Sequence, residues 1–324
     1  MRTNEASSCG TPGGDSGERD ARGGDVRRVA AIRWRWAAVT LVVATGISAW
    51  VVPRAAQVDG WGLERVLSRA VAVTVVMTLI AALGLPSRSR LRAALGPCPG
   101  RRFAIAYALS LATLAFDAWL RLEAGVQDWR ADPIGGARLV RKLATHAVGG
   151  VLLAAVEEAL FRGGLWSLLA GWLGRLRGAV LGSLLFAWLH YLRVPAGASR
   201  SAHIPGTRQS VFEWLDAAGS VIERGWQGPL ENPAPGVGLF LFGLILSLVV
   251  HRTRGLAAAV GVHAGVVFFL KMDGGFLRVV PEQPTWFFGS RDLVDGVLSW
   301  LLLIAVGLAL AIPGRRGPDE LSSR

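Results

Sequence analysis

The central segment AAVEEALFRGGLW, at residues 154–166, carries three ionisable side chains inside an apolar stretch. A charge near the centre of a bilayer costs at least about 2.5–3.5 kcal/mol on insertion scales, so unpaired examples are rare. Glu158 and Arg162 are four residues apart, which places them on one helix face in the order that favours pairing. Glu157 lies about 100° around the helix from Glu158 and has no such local partner. Glu157 is therefore expected to face a cavity, a water molecule or a group on another helix.

Two histidines lie in the middle of other apolar segments, although the chain has only five. His190 follows Phe186 by one helical turn in LLFAWLHYL, and His263 lies within AAAVGVHAGVVFFL. Counted from basic or aromatic residues at the ends of their segments, Glu157, His190 and His263 lie about 14–22 Å along their helices at 1.5 Å per residue. Helix tilt allows these depths to coincide. The three side chains are therefore predicted to converge.

A carboxylate and an imidazole that contact the same water molecule can remove its proton and produce a nucleophile. A second imidazole can donate a hydrogen bond to the oxyanion formed on a peptide carbonyl. Glu157, His190 and His263 therefore have the chemistry to hydrolyse a peptide bond. The same three residues could hold a zinc ion with an open position, but the HExxH spacing of many zinc peptidases is absent. We favour a mechanism without metal or other cofactor and keep zinc as the alternative.

A purely structural interpretation of the same residues stays open. Glu158 and Arg162 can be a buried pair that fixes helix packing, with Glu157 protonated, and each histidine can be a packing residue. This structural interpretation becomes weaker when the segments are considered together, because the carboxylates and both histidines lie in neighbouring apolar segments. Other polar residues are assigned no catalytic role: Asp117, His146, His203, Glu213, Glu223 and His251.

The composition indicates that membrane helices position these residues. Hydrophobic residues make up 52% of the 324 residues and charged residues 18%, whereas a soluble domain is nearer a quarter charged. Several apolar blocks reach the roughly 18–20 residues that cross hydrocarbon. We predict an all-α fold, a polytopic membrane bundle of about eight transmembrane helices. The predicted spans are 36–53, 66–85, 103–120, 140–172, 178–194, 237–252, 254–271 and 294–312.

The distribution of charge predicts an orientation. The net charge is +12, and most arginines fall between apolar blocks on one side of the predicted bundle. By the positive-inside rule, both termini are expected in the cytoplasm, and the plasma (inner) membrane is the expected location. Arg138, Arg141 and Lys142 depart from this rule. Nucleic-acid binding is not expected, because the basic residues are not gathered on one soluble surface.

Three motifs on successive apolar helices resemble the CAAX-processing and bacteriocin-processing (CPBP) membrane protease family, which includes the type II CAAX prenyl endopeptidases. They are EExxxR at 157–162, FxxxH at 186–190 and HAG at 263–265. The resemblance covers roughly residues 140–272. It implies a bundle of eight membrane helices with an active site sunk into the membrane.

The resemblance also implies roles for the individual residues. Glu157 and His190 would activate water, and His263 would help to stabilise the oxyanion. The supporting residues would be Glu158, Arg162 and Phe186. The family often has an Asn four residues after the last His as a second oxyanion donor, and this chain has Val267 there.

The chain is predicted to divide into a bundle and two tails. Residues 1–32 form a disordered cytoplasmic tail, because they cannot bury enough apolar surface to offset the entropy of ordering. Residues 33–313 form the bundle, with a protease-like core at 140–272. An inserted loop at 195–235, longer than the link in many bacterial relatives, has apolar residues near helical spacing, which is typical of an amphipathic helix on the outer membrane surface or of a loop helix packed on the bundle. Residues 314–324 form a second cytoplasmic tail.

Two functions from different classes remain. The first is an intramembrane endopeptidase that acts on membrane-associated protein or peptide substrates within the lipid bilayer. The second is a non-catalytic membrane scaffold or bacteriocin-immunity-type protein with the same fold, and Val267 is the residue that keeps this alternative open. A proton-coupled transporter is disfavoured, because the spans show no inverted repeat.

Overall fold

A computed structural model describes most of the predicted protease-like core and the helices around it. The described residues are 35–36, 38–44, 46–47, 74, 78, 94–192, 219, 223, 225–280, 285–290 and 295–311. The predicted tails at 1–32 and 314–324, most of span 66–85 and most of the inserted loop 195–235 lie outside this part of the chain.

The described chain is built mainly of helices that follow one another closely. In chain order they are α1 (Pro99–Glu123), α2 (Gly136–Glu158), a π-helix (Ala159–Leu165), α3 (Trp166–Leu173), α4 (Arg175–Tyr191), α5 (Pro233–Thr253), α6 (Leu256–Asp273), α7 (Thr285–Phe288) and α8 (Val297–Ala311). Residues 35–36, 38–44 and 46–47 are also helical.

Four helical segments in the described part are long and apolar enough to cross a membrane. They are α1, the continuous segment Gly136–Leu173, α5 and α6. Large apolar side chains such as Leu152 and Val156 on α2 are exposed, as expected for a helix that faces lipid. The helical membrane fold is thus confirmed. The number of eight spans is not confirmed and stays a prediction: spans 36–53 and 66–85 lie partly or mostly outside the described residues, and α4 and α8, at spans 178–194 and 294–312, have only 17 and 15 described residues.

A small antiparallel sheet departs from the all-α prediction. Strand β1 (Gln127–Trp129) pairs with β2 (Leu277–Val279), with Asp128 opposite Arg278. The strands follow α1 and α6, which pack against each other, so the segments that leave these helices are neighbours. Pairing satisfies backbone groups that would otherwise lack partners. A three-residue strand is too short to show a periodic pattern in the sequence.

Helix α6 lies at the centre and packs against α1, α2 and α5. Every residue from Leu256 to Val266 is buried, including His263. Small residues permit the close approach of α1: a Cβ on Gly261 would lie 2.5 Å from the Phe103 carbonyl oxygen and 3.1 Å from the Ala106 Cβ. Such contacts between small residues are a main source of helix association in membranes. They hold His263 at a fixed position inside the bundle.

We predict that Gly261→Ala destabilises the protein by about 1–3 kcal/mol, because the added methyl group forces α1 away from α6. The matched control is Gly171→Ala on α3, where a Cβ would meet no described atom within 4 Å. This control should be neutral or slightly stabilising, since alanine is the better helix former. Equilibrium unfolding in mixed detergent micelles, followed by circular dichroism, measures both. Equal stability of the two variants would contradict the packing argument.

Candidate active site

The acidic pair and the arginine of the first motif lie at the junction of α2 and the π-helix. Glu158 is 0% exposed and Arg162 3%, and their side chains form an ion pair at 3.0 Å. Arg162 also donates a hydrogen bond to the Gly243 carbonyl on α5 at 3.2 Å. The guanidinium lies 4.7 Å from the ring centroid of Phe186 on α4. The pairing predicted from the four-residue spacing is present, and it joins three helices.

Glu158 also holds the imidazole of His263. His263 Nδ1 lies 2.8 Å from Glu158 Oε1, and we assign Nδ1–H as the donor because an ionised carboxylate only accepts. This assignment leaves Nε2 to face Glu157, whose Oε2 lies 3.7 Å away. The separation exceeds a direct hydrogen bond, and the Glu157 Oε2 atom is itself buried.

His190 reaches the same cluster from α4. Its Nδ1 lies 2.8 Å from the Phe186 carbonyl oxygen. A carbonyl only accepts, so Nδ1 carries the hydrogen and Nε2 of the neutral ring can accept one. The Phe186 ring is 4.5 Å from the His190 ring and 6.1 Å from the His263 ring, measured between centroids. Both imidazoles therefore pack around one buried phenyl group.

The structure thus brings the six residues of the predicted site into one cluster. They are Glu157, Glu158, Arg162, Phe186, His190 and His263. Their solvent access differs: the Glu157 side chain is 21% exposed, whereas those of Glu158 and His263 are 0% and 5% exposed. Glu157 is therefore the less buried of the two adjacent acidic side chains, although its Oε2 atom is buried.

The π-helix is a local feature that the sequence did not predict. It begins directly after Glu158 and contains Arg162, whereas a regular α-helix was expected throughout 140–172. Its wider turns bring Phe161 edge-on to Phe186 at 5.2 Å while Arg162 keeps its ion pair. Single π-helical turns within α-helices are frequent at functional sites.

Helix α5 contributes groups that sequence reasoning missed. The Gly243 carbonyl accepts from Arg162, and the Phe242 ring stands edge-on to His263 at 5.3 Å. An aromatic and a glycine in a uniformly apolar helix carry no chemical signal, so only the packing of α5 could reveal them. Val267 is half-buried and faces α2, 3.6 Å from where a Cβ on Gly150 would lie. It offers no hydrogen-bond donor.

Asp117 has a different partner and stands apart from this cluster. It pairs with Arg121 one turn along α1 at 2.8 Å, and both side chains are buried. Arg121 also donates to the Ser290 carbonyl and to Ser299 Oγ. This group ties α1 to the chain around the start of α8.

The described residues contain no group of three or more His, Cys, Asp or Glu side chains placed to hold a metal ion. Glu158 and His263 Nδ1 are occupied by each other and by Arg162. A zinc ion would have to use Glu157, His263 Nε2 and His190. The zinc alternative is therefore left to a chelation test.

A family model described as type II CAAX prenyl endopeptidase Rce1-like matches residues 140–269. The matched segment is less than half of the chain and contains all six residues of the cluster. No curated protein and no solved structure gives a significant match to the chain.

We predict that Arg162→Met destabilises the protein by about 3–5 kcal/mol, because it removes the guanidinium partner of the buried Glu158 carboxylate and leaves it only the contact with His263. Adding Glu158→Gln to the same chain should recover much of the loss, since the uncompensated charge is then gone. Equilibrium unfolding of both variants measures the difference.

The control is Arg130→Met, because Arg130 forms an ion pair with Asp132 whose side chains are 40% and 87% exposed. An exposed pair of this kind is worth at most about 1 kcal/mol. If Arg162→Met costs no more than Arg130→Met, the buried pair does not stabilise the site.

Proposed function

We propose that this chain, whose residues 140–269 belong to the type II CAAX prenyl endopeptidase-like family of membrane proteases, is an intramembrane endopeptidase. It hydrolyses peptide bonds of membrane-associated protein or peptide substrates with water activated by Glu157 and His190. The observation that carries the proposal is the pair of Glu157 Oε2 and His263 Nε2, 3.7 Å apart on helices apolar enough to cross a membrane.

In the proposed first step, Glu157 removes a proton from water while the water oxygen attacks the peptide carbonyl carbon. His190 Nε2 accepts a hydrogen bond from the same water, a role that suits a ring whose Nδ1 already donates to the Phe186 carbonyl. Positioned proton acceptors of this kind contribute about 10²–10⁴-fold to rate. Glu157 then passes its proton to the leaving nitrogen as the C–N bond breaks, so the immediate products are a carboxylic acid, which keeps the second water proton, and a free amine.

His263 is proposed to stabilise the oxyanion on the attacked carbonyl. Donation from Nε2 requires a doubly protonated ring, because Nδ1 already donates to Glu158. Glu158 accepts this hydrogen bond from Nδ1 and also pairs with Arg162 at 3.0 Å. Glu158 and Arg162 are therefore positioning residues that act through His263.

We further propose a multi-pass protein in the plasma membrane with both termini in the cytoplasm. Arg102 at the start of α1 donates a hydrogen bond to the Thr253 carbonyl at the end of α5. Two of the arginine-bearing segments predicted to be cytoplasmic are thus adjacent, in agreement with the positive-inside rule. In this proposal, residues 1–32 and 314–324 are cytoplasmic tails, and residues 33–313 form the bundle with an inserted loop at 195–235.

Val267 supports a second candidate, a membrane scaffold or immunity-type protein without catalytic activity. One oxyanion donor is worth about 10²–10³ in rate, and Val267 cannot serve as that donor. In this alternative, the Glu158–Arg162–His263 group only holds the helices together.

We predict that Glu157→Gln lowers cleavage of a reconstituted membrane peptide by about 10²–10⁴-fold and leaves the protein folded. Mass spectrometry of the peptide products measures cleavage. The same substitution at exposed Glu223 is the control and should have no effect.

Loss of cleavage in the wild type on chelation would move the mechanism to zinc. Cleavage that survives Glu157→Gln would contradict the proposed base, and an inactive wild type that still binds a partner would favour the scaffold.

We predict that Val267→Asn raises kcat by up to about 10²-fold with little change in KM, because the amide adds a donor one turn after His263. Val267→Ala is the control for lost packing and should not raise kcat. Steady-state kinetics on one peptide compares the three proteins. If Val267→Asn is no faster than the wild type, the oxyanion site is already complete through another group.

A further inference from the structure

His190 lies in the last turn of its helix. Helix α4 ends at Tyr191, and the next N–H, that of Leu192, bonds the Leu189 carbonyl three residues back, as in a tightened final turn. The hydrogen bond from the His190 ring to the Phe186 carbonyl stays within α4, so it orients the ring relative to that helix alone. Helix ends fray, because their last carbonyl groups lack partners within the helix. A proton acceptor at this position therefore needs support for its helix end from another part of the chain.

The Tyr191 side chain is enclosed by segment 225–236, which ends in the first turn of α5. A Cβ on Gly228 would lie 2.7 Å from Tyr191 Cδ1, and a Cβ on Gly236 would lie 2.7 Å from Tyr191 Oη. The hydroxyl group of Tyr191 donates a hydrogen bond to the Asn232 carbonyl at 2.8 Å. Neither glycine could carry a side chain without displacing the tyrosine. The segment thus holds the residue that directly follows His190.

Two further contacts of the segment lie on either side of His190 in the chain. The Trp226 ring lies 5.1 Å from the Trp188 ring, measured between centroids, and a Cβ on Gly225 would lie 2.6 Å from Leu192 Cδ2. Trp188 is two residues before His190, so it points about 160° away from it around the helix. Contact on the Trp188 side holds the opposite side of α4, with His190, toward the buried cluster.

The antiparallel packing of α4 and α5 explains why the segment lies here. A Cβ on Gly243 of α5 would lie 2.8 Å from the Ser183 Cβ of α4. Seven residues earlier on α5 and eight residues later on α4, Gly236 meets Tyr191. The chain that enters α5 must therefore pass the end of α4.

We propose that segment 225–236 is a positioning element for His190 and acts through Tyr191. It fixes the last turn of α4, so that the His190 ring keeps one orientation relative to Glu157. The proposal rests on the proposed peptidase function, in which His190 helps to activate water, and gives a role to the last part of the inserted loop.

Nitrogen-15 NMR of the histidine-labelled, full-length protein in lipid nanodiscs measures the tautomer of each ring at mildly alkaline pH, where an ordinary imidazole is neutral. The signals of His190 and His263 are assigned by their loss in His190→Ala and His263→Ala. We expect wild-type His190 to show one tautomer, with the hydrogen on Nδ1. Gly228→Ala should average the His190 signal between the two tautomers, because the added methyl group displaces Tyr191. The His263 signal should stay unchanged.

Gly219→Ala is the matched control from the same inserted loop, because a Cβ on Gly219 would meet no described atom within 4 Å. It should leave both histidine signals as they are. Tyr191→Phe keeps the ring and removes only the hydroxyl group, so it decides the matter if Gly228→Ala does not fold. It should move the His190 signal in the same direction by a smaller amount.

An unchanged His190 signal in the folded variants would overturn the proposal. Equal changes at His190 and His263 would overturn it too, because the segment would then support the bundle as a whole.

Cleavage of a membrane peptide provides a second measurement. Gly228→Ala is expected to lower kcat by about 10–10²-fold, the loss that a small misplacement of a reacting group can cause, with KM unchanged. A rise in KM with unchanged kcat would contradict the positioning role. If the wild type does not cleave but the NMR signals change as expected, the peptidase function is contradicted and the support of His190 by segment 225–236 stands.

Discussion

The buried carboxylate of Glu158 is the constraint on which the site depends. It is fully buried, and an unpaired charge in that position would cost several kcal/mol. Arg162 and His263 supply the two partners, at 3.0 Å and 2.8 Å. Because Arg162 also binds the Gly243 carbonyl, satisfying this one charge fixes α2, the π-helix, α5 and α6 relative to one another. The stability of the bundle and the geometry of the site share this interaction.

The same constraint separates the two adjacent glutamates. Glu158 faces inward and is occupied by its two partners, while the neighbouring Glu157 is rotated away and partly exposed at 21%. His263 links them, since one ring nitrogen bonds Glu158 and the other faces Glu157. The fully buried Glu158 thus positions the imidazole beside the less buried Glu157. This arrangement suits proton transfer better than two equivalent carboxylates would, because the environments set the two groups apart.

Two parts of this site could be predicted from the sequence. They are a side-chain pair within one helix and the membrane helices themselves, which are recognisable from the length of their apolar blocks. The Glu158–Arg162 pair follows from a four-residue spacing on one helix, and the helices follow from long apolar blocks. The convergence of His263 on Glu157 followed from equal depths in antiparallel helices. The hydrogen bond between Glu158 and His263 joins residues 105 positions apart. No local pattern could reveal it, because it depends on how α6 packs against α2, where Gly150 lies against Ala264.

Two further departures have the same cause. The π-helix at Ala159–Leu165 shows the same apolar pattern as an α-helix, and its extra residue per turn becomes visible only in the backbone hydrogen bonds. The sheet of β1 and β2 forms because α1 and α6 end side by side, which is a property of their packing. The π-helix follows α2 and strand β2 follows α6, the two helices that carry Glu158 and His263.

The central claim, that Glu157 activates water, is tested most directly by a single turnover in water enriched in oxygen-18. Wild-type protein in lipid vesicles is mixed in excess over a membrane peptide, and both product and protein are then analysed by mass spectrometry. The account predicts one heavy oxygen atom in the new carboxylate of the product and none in the Glu157 side chain. Label in the Glu157 side chain would contradict the account, because the carboxylate itself would then have attacked the peptide bond.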